Sequence, residues 1–155
     1  MQKVLFVCLG NICRSPMAEG IFRKLVAGRR LDDEILIDSA GTAGYHLGSP
    51  PDARTLQVLN ENGITTQHRG RQLTADDFFN FTHVVTMDDH NFRFASRFSK
   101  QVKGQARIIK MADFLSVSEV PDPYQGNYKD FESLYHLLLQ GCINFLDQLV
   151  EEKIN

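Results

Sequence analysis

At 155 residues, 43% hydrophobic and 23% charged, the chain has the size and composition of one globular domain, 1–155, with a substantial core. A formal net charge of -2 gives no global attraction for nucleic acid or an acidic membrane, so neither is an expected partner and any anion site must be built locally. Three cysteines, an odd number, exclude a disulfide framework.

Met1-Gln2-Lys3 leads straight into Val4-Leu5-Phe6-Val7, four apolar residues before Cys8. That run is too short for a secretory or membrane-spanning segment, which predicts a cytoplasmic chain. Val4–Val7 reads as a buried strand. Pro16–Ala27 reads as a helix with Met17, Ile21 and Leu25 on one face, Ser15 as its N-cap and Gly28 as its stop. Ile35–Ile37 is the second predicted strand, and Gly41–Pro51 a loop. Asp52–Asn62 is helical and ends at Gly63, while Gln67–Leu73 fits no single pattern.

Thr74, with Asp77 three residues on, starts a short helix. His83–Met87 is the third strand, Asp88–Phe98 a helix, and Ala106–Ile109 the fourth strand. After a loop containing Pro121-Asp122-Pro123, a long helix spans about Tyr128–Glu152. Its apolar stripe is Phe131, Leu134, Leu138, Cys142, Phe145 and Leu149. Alternating strands and helices predict a doubly wound parallel sheet with helices on both faces. Ligands of such sheets bind beyond the C-terminal strand ends, where Cys8 falls.

The segment from Cys8 to Ser15 joins a buried strand to a helix N-terminus, where unpaired N–H groups and the helix dipole favour an anion. Gly10 lets the loop turn tightly, and Arg14 adds a planar fork suited to phosphate oxygens. Positive surroundings favour the thiolate of Cys8, to which Ser15 can donate. Nucleophile and oxyanion cradle thus share one loop. On the residues alone, Cys8 with Arg14 also reads as a buried thiol beside a surface cation, and Asp122 as a turn residue before Pro123.

Val7-Cys8-Leu9-Gly10-Asn11-Ile12-Cys13-Arg14-Ser15-Pro16 resembles the signature loop of the low-molecular-weight protein tyrosine phosphatases. The resemblance continues through Asp38-Ser39-Ala40-Gly41-Thr42, Pro50-Pro51-Asp52, His68-x-x-Arg71, Met87-Asp88 and Asp122-Pro123-Tyr124, nearly the whole chain. It implies a three-layer, flavodoxin/Rossmann-like α/β sandwich around a four-stranded parallel sheet, with the phosphate loop after the first strand.

It also implies hydrolysis of phosphotyrosine and aryl phosphates through a cysteinyl-phosphate. Cys8 would be the nucleophile and Asp122 the acid. Arg14 and the backbone of Leu9, Gly10, Asn11, Ile12, Cys13 and Ser15 would hold phosphate. Asn11, Ser15, Ser39, His68 and Asp88 would support the loop, and Leu9, Ile12, Leu47 and Tyr124 would form substrate walls. Cys13 would pair reversibly with Cys8 as a redox partner.

On the residues alone, Cys13 is a small buried side chain, His68 a surface histidine and Asp88 an N-cap. Gln125, where relatives often carry a second aromatic, leaves peptide preference open. No metal or cofactor is expected. The partners expected are a phosphotyrosine protein or aryl phosphate, and phosphate or another oxyanion in the loop, bound by a monomer. An arsenate reductase on the same fold is the competing reading. It would need two further cysteines close together in the later half, where only Cys142 stands.

Overall fold

The computed structural model describes residues 1–154, so the expected domain 1–155 is described up to its penultimate residue and Asn155 lies outside. Four strands form one sheet: β1 (Gln2–Cys8), β2 (Ile35–Gly41), β3 (His83–Thr86) and β4 (Arg107–Lys110). All pairs are parallel and the spatial order is β2-β1-β3-β4. Helices α1 (Arg14–Gly28), α2 (Ala53–Glu61), α3 (Asp77–Asn80), α4 (Asp89–Val102) and α5 (Tyr128–Ile154) connect and cover it, with a 3-10 turn at Met111–Phe114.

Strand β1 is apolar on both faces because both are covered. Val4 and Phe6 face a core shared with α1, α2 and α5; Leu5 and Val7 face a smaller one with Phe78 of α3 and Ala95 of α4. Phe22 of α1 lies edge-on to Phe6 (5.4 Å) and stacks on Phe145 of α5 (5.3 Å), tying strand and two helices together. Each such fully buried side chain contributes about 1.5–3 kcal/mol. The whole predicted stripe of α5, Phe131 to Leu149, is buried. Among the described residues no helix is long and apolar enough to cross a membrane.

The chain leaves β1 toward β2 on one side and returns to β3 on the other, so the strand order reverses beside β1. This is the switch point at which doubly wound sheets bind ligands. Cys8 is the last residue of β1, and Asp88 follows β3 and caps α4.

Strand β2 lies at a sheet edge, and several of its outward groups are occupied. Arg23 donates to the Ile37 carbonyl, the Asp38 carboxylate accepts the Ser39 N–H, and the Arg71 carbonyl accepts the Gly41 N–H. The 67–73 segment is therefore neither helix nor full strand. It is an extended strap that pairs with Gly41 only at Gln72.

Three local expectations need correction. Helix α1 starts at Arg14, not Pro16, and Ser15 makes no cap; its hydroxyl is turned toward Cys8 instead. The left-handed residue of the loop is Asn11 (φ 58°), not Gly10. Gly10 matters because a β-carbon there would come within 3.1 Å of the His46 ring. Thr74 does bond to Asp77, but the helix begins at Asp77 itself.

Candidate active site

Arg14 is 3% exposed despite its charge, which demands partners. It opens α1 directly under the sheet's C-terminal edge. Its Nη1 donates to Asp88 Oδ2 at 2.9 Å and to the Val120 carbonyl at 3.0 Å, spanning the switch point. Its Nη2 lies 3.6 Å from Asp122 Oδ2. Asp88 has both roles considered for it: one oxygen holds Arg14, while the other accepts the Asn91 N–H in a capping box.

The orientation of the Asn11 amide is set by its donors. The Arg71 N–H points at Oδ1 (3.0 Å), so that atom accepts and Nδ2 donates, to Ser15 Oγ at 2.8 Å and Ser39 Oγ at 3.0 Å. Ser15 Oγ, already accepting, has its own proton left for Cys8 Sγ, 3.0 Å away. The left-handed backbone at Asn11, which asparagine tolerates better than most residues, is what places the amide beneath the loop.

His68 is no surface histidine; its side chain is 5% exposed. Nε2 faces Asn11 Oδ1 at 2.8 Å and Nδ1 faces Glu19 Oε1 at 3.2 Å, so each ring nitrogen meets an oxygen. Glu19, also buried, accepts from Ser39 Oγ at 2.7 Å and from Arg23 at 3.0 Å. Burial alone would raise its pKa. Hydrogen bonds from His68 and Ser39, with the charges of His68 and Arg23, hold it below the usual glutamate value. Glu19, Asp38 and His68 lie close enough together to hold a metal, but Arg23, Arg71 and Ser39 already occupy their oxygens.

None of the backbone N–H groups from Leu9 to Cys13 finds a backbone carbonyl among the described residues. Next to them opens a cavity of about 130 Å³ lined by Cys8, Leu9, Gly10, Ile12, Cys13, Arg14, Tyr45, His46, Asp122 and Tyr124. A larger hollow at the other end of the sheet, between Met1, Leu31 and Leu149, is lined by no Cys, His or Ser.

The structure thus brings Cys8, Arg14, Asp122, Leu9, Ile12 and Tyr124 to one cavity, with Ser15, Asn11, Ser39, His68 and Asp88 behind it. Leu47 is not among the walls. It is 60% exposed and packs back toward Gly44, while Tyr45 and His46 take the wall. The ring of His46, tilted toward Tyr124 at 6.4 Å, closes the rim against Gly10. Tyr45 carried a usable sequence signal, an aromatic inside a Gly/Pro-rich loop. Glu19 carried none, because α1 is buried almost all round its first half.

Cys8 and Cys13 are both free thiols; burial, with the nearby Asp52 carboxylate, pushes the Cys13 thiol up. Cys142 is fully buried against Ala18 in the main core.

Fold and site together define a flavodoxin-like α/β protein whose switch-point loop presents a thiol beside an arginine and backbone N–H groups without backbone partners. Residues 3–155 match the profile of a family described as low molecular weight phosphotyrosine protein phosphatase, and the chain belongs to that family. A phosphatase of that name from Gallus gallus is 44% identical over 151 residues, covering 96% of each chain. The crystal structure of a protein tyrosine phosphatase from Entamoeba histolytica, with Hepes in its active site, superposes with a TM-score of 0.92 at 37% identity, covering 99% of both chains. A Drosophila arginine phosphatase superposes at 0.91 with 33% identity, covering 96% of this chain and 98% of that one.

Proposed function

We propose that the protein hydrolyses phosphotyrosine and small aryl phosphates by way of a phosphocysteine at Cys8. The observation that carries this is the single cavity holding Cys8, Arg14 and Asp122. Cys8 Sγ attacks phosphorus while the bond to the aryl oxygen breaks, and Asp122 gives that oxygen its proton. Arg14 and the free N–H groups of Leu9 to Cys13 hold the equatorial oxygens, so catalysis rests on positioning and charge. Water then attacks phosphorus and gives its proton to Asp122. The P–S bond breaks, phosphate leaves, and the thiolate returns to the Ser15 hydroxyl.

The cavity is narrow and walled by Leu9, Ile12, Tyr45, His46 and Tyr124, which suits a planar ring above an anionic floor. Hepes, a sulfonate buffer, in the site of the Entamoeba relative agrees with an oxyanion-binding floor. An arsenate reductase would relay a disulfide through two further thiols, and the third cysteine, Cys142, is locked in the core. Three cysteines without a disulfide fit the reducing conditions of the cytoplasm, the proposed place of action.

The test is turnover of p-nitrophenyl phosphate in the presence of a chelator, with a phosphotyrosine peptide and phosphoarginine as comparison substrates. Both aryl substrates should turn over and Cys8→Ser should abolish activity. Asp122→Ala should slow a poor leaving group by about 10²–10⁴-fold and a good one far less. Undiminished turnover in Cys8→Ser removes the mechanism; a preference for phosphoarginine removes the substrate class.

A further inference from the structure

The segment that carries Asp122 is held at two places. On its N-terminal side, the Val120 N–H donates to the Met87 carbonyl just past the end of β3, and the Val120 carbonyl accepts from Arg14. On its C-terminal side the holding group is Arg54, a residue with no role in the chemistry described so far. Nη2 donates to the Tyr124 carbonyl at 3.0 Å and Nη1 to the Gly126 carbonyl at 2.9 Å. Its other hydrogen bonds go to Asp52, Nε to Oδ1 and Nη2 to Oδ2, both at 3.0 Å. The guanidinium lies 4.2 Å from the centre of the Phe131 ring at the start of α5.

Asp52 in turn is fixed to the phosphate loop. Its N–H donates to the Ile12 carbonyl at 2.8 Å, and one turn on Thr55 Oγ1 approaches the Cys13 carbonyl at 3.4 Å. A continuous path therefore runs from the loop holding the thiol, through Asp52 and Arg54, to the backbone two residues past Asp122. A cation in the first turn of α2 opposes the helix dipole, so helix stability gives no reason for an arginine there. A planar fork that meets one carboxylate and two carbonyls at once gives one, and lysine could not reproduce it.

We propose that Arg54 is a positioning residue that sets the separation of Asp122 from the phosphate held over Cys8. It rests on the reading of Asp122 as the general acid. Proton transfer to the leaving oxygen needs heavy atoms within about 3 Å. Loss of one clamp lets the 121–126 segment drift while the thiol and its cradle stay in place.

The experiment compares phenyl phosphate, a poor leaving group, with p-nitrophenyl phosphate, a good one, in Arg54→Gln and Arg54→Lys. In both, kcat for phenyl phosphate should fall at least ~10-fold further than kcat for p-nitrophenyl phosphate, a fraction of a general acid's full worth. The alkylation rate of Cys8 by iodoacetate should stay within about 2-fold, as expected when the sulfur's own partners are untouched. Arg54→Lys keeps an aliphatic stem over Phe131 and serves alone if Arg54→Gln does not fold.

In an Asp122→Ala background, Arg54→Lys should change neither rate further, since the two act through one proton. Equal losses on both substrates, full recovery by lysine, or additivity with Asp122→Ala overturns the role of Arg54 alone. An Asp122→Ala enzyme that itself shows no leaving-group dependence overturns the acid assignment, and the role of Arg54 with it.

Discussion

Cys8 stands at the end of a hydrogen-bond sequence that begins in the strap. The strap N–H at Arg71 orients Asn11, Asn11 donates to Ser15, and the Ser15 hydroxyl has its proton left for sulfur. Glu19 anchors the far side by accepting from His68 and Ser39. Its pKa lies below its ordinary 4.5, so its stabilising contribution is complete above about pH 4.5 and is lost as pH falls through the lower folded value. Glu19→Gln should therefore cost about 1–3 kcal/mol at pH 7, the range for a buried group losing charged hydrogen bonds. In urea unfolding at pH 7, 5, 4 and 3, the gap from the parent protein should narrow only in the most acidic samples. A gap that is constant across the series contradicts the assignment. The residues at the loop were legible because Cys8, Arg14 and Ser15 are chemically conspicuous beside a helix start. Glu19 and Arg54 were not, since a lone acid in α1 or a lone arginine in α2 acquires meaning only from partners more than a dozen residues distant.

At the level of elements, the four strands and the main helices were readable because each carries a strong period or a continuous apolar run. Their ends were less so. Strand β2 extends to Gly41 because its pairing with β1 continues to Cys8, with the strap bridging there as well, and α4 runs to Val102 because Lys103 ends it in the left-handed region. The strap itself has no sequence period, since tertiary hydrogen bonds hold it. Gly70 exchanges two backbone bonds with the 46–49 loop, and a β-carbon there would stand 2.2 Å from the His46 carbonyl oxygen. Backbone cannot yield as a flexible side chain can. Gly70→Ala should destabilise by about 1–3 kcal/mol, the usual cost of forced overpacking. Because that loop begins at His46 and directly follows Tyr45, both lining the cavity, KM for aryl phosphates should rise more than kcat falls. Gly28→Ala, with nothing within 4 Å, is the control and should be neutral or stabilising by up to about 1 kcal/mol. Equal behaviour of the two variants in thermal melts and steady-state kinetics would contradict the strap's role.

For the molecule as a whole, the loop proposed to hold phosphate, the switch point and both cores meet at β1, so oxyanion binding there would be linked to global stability. An anion that binds only the folded state at 100 times its Kd should stabilise by about 2.7 kcal/mol. For a chain of this size that is a rise in Tm of roughly 5–10 °C. Scanning calorimetry with inorganic phosphate should show the rise in the parent protein and a much smaller one in Arg14→Lys, which keeps the charge but loses the fork. A shift of the same size in both would place the anion elsewhere. The same sheet also determines how the protein behaves when crowded. An open edge strand is a template on which another chain can build. Along β2 the Ile37 carbonyl, the Ser39 N–H and both groups of Gly41 are already held by Arg23, Asp38 and the strap. An incoming strand would have to displace a guanidinium, a carboxylate and the segment that orients Asn11, so the contacts that brace the loop around Cys8 also hinder strand addition along this edge.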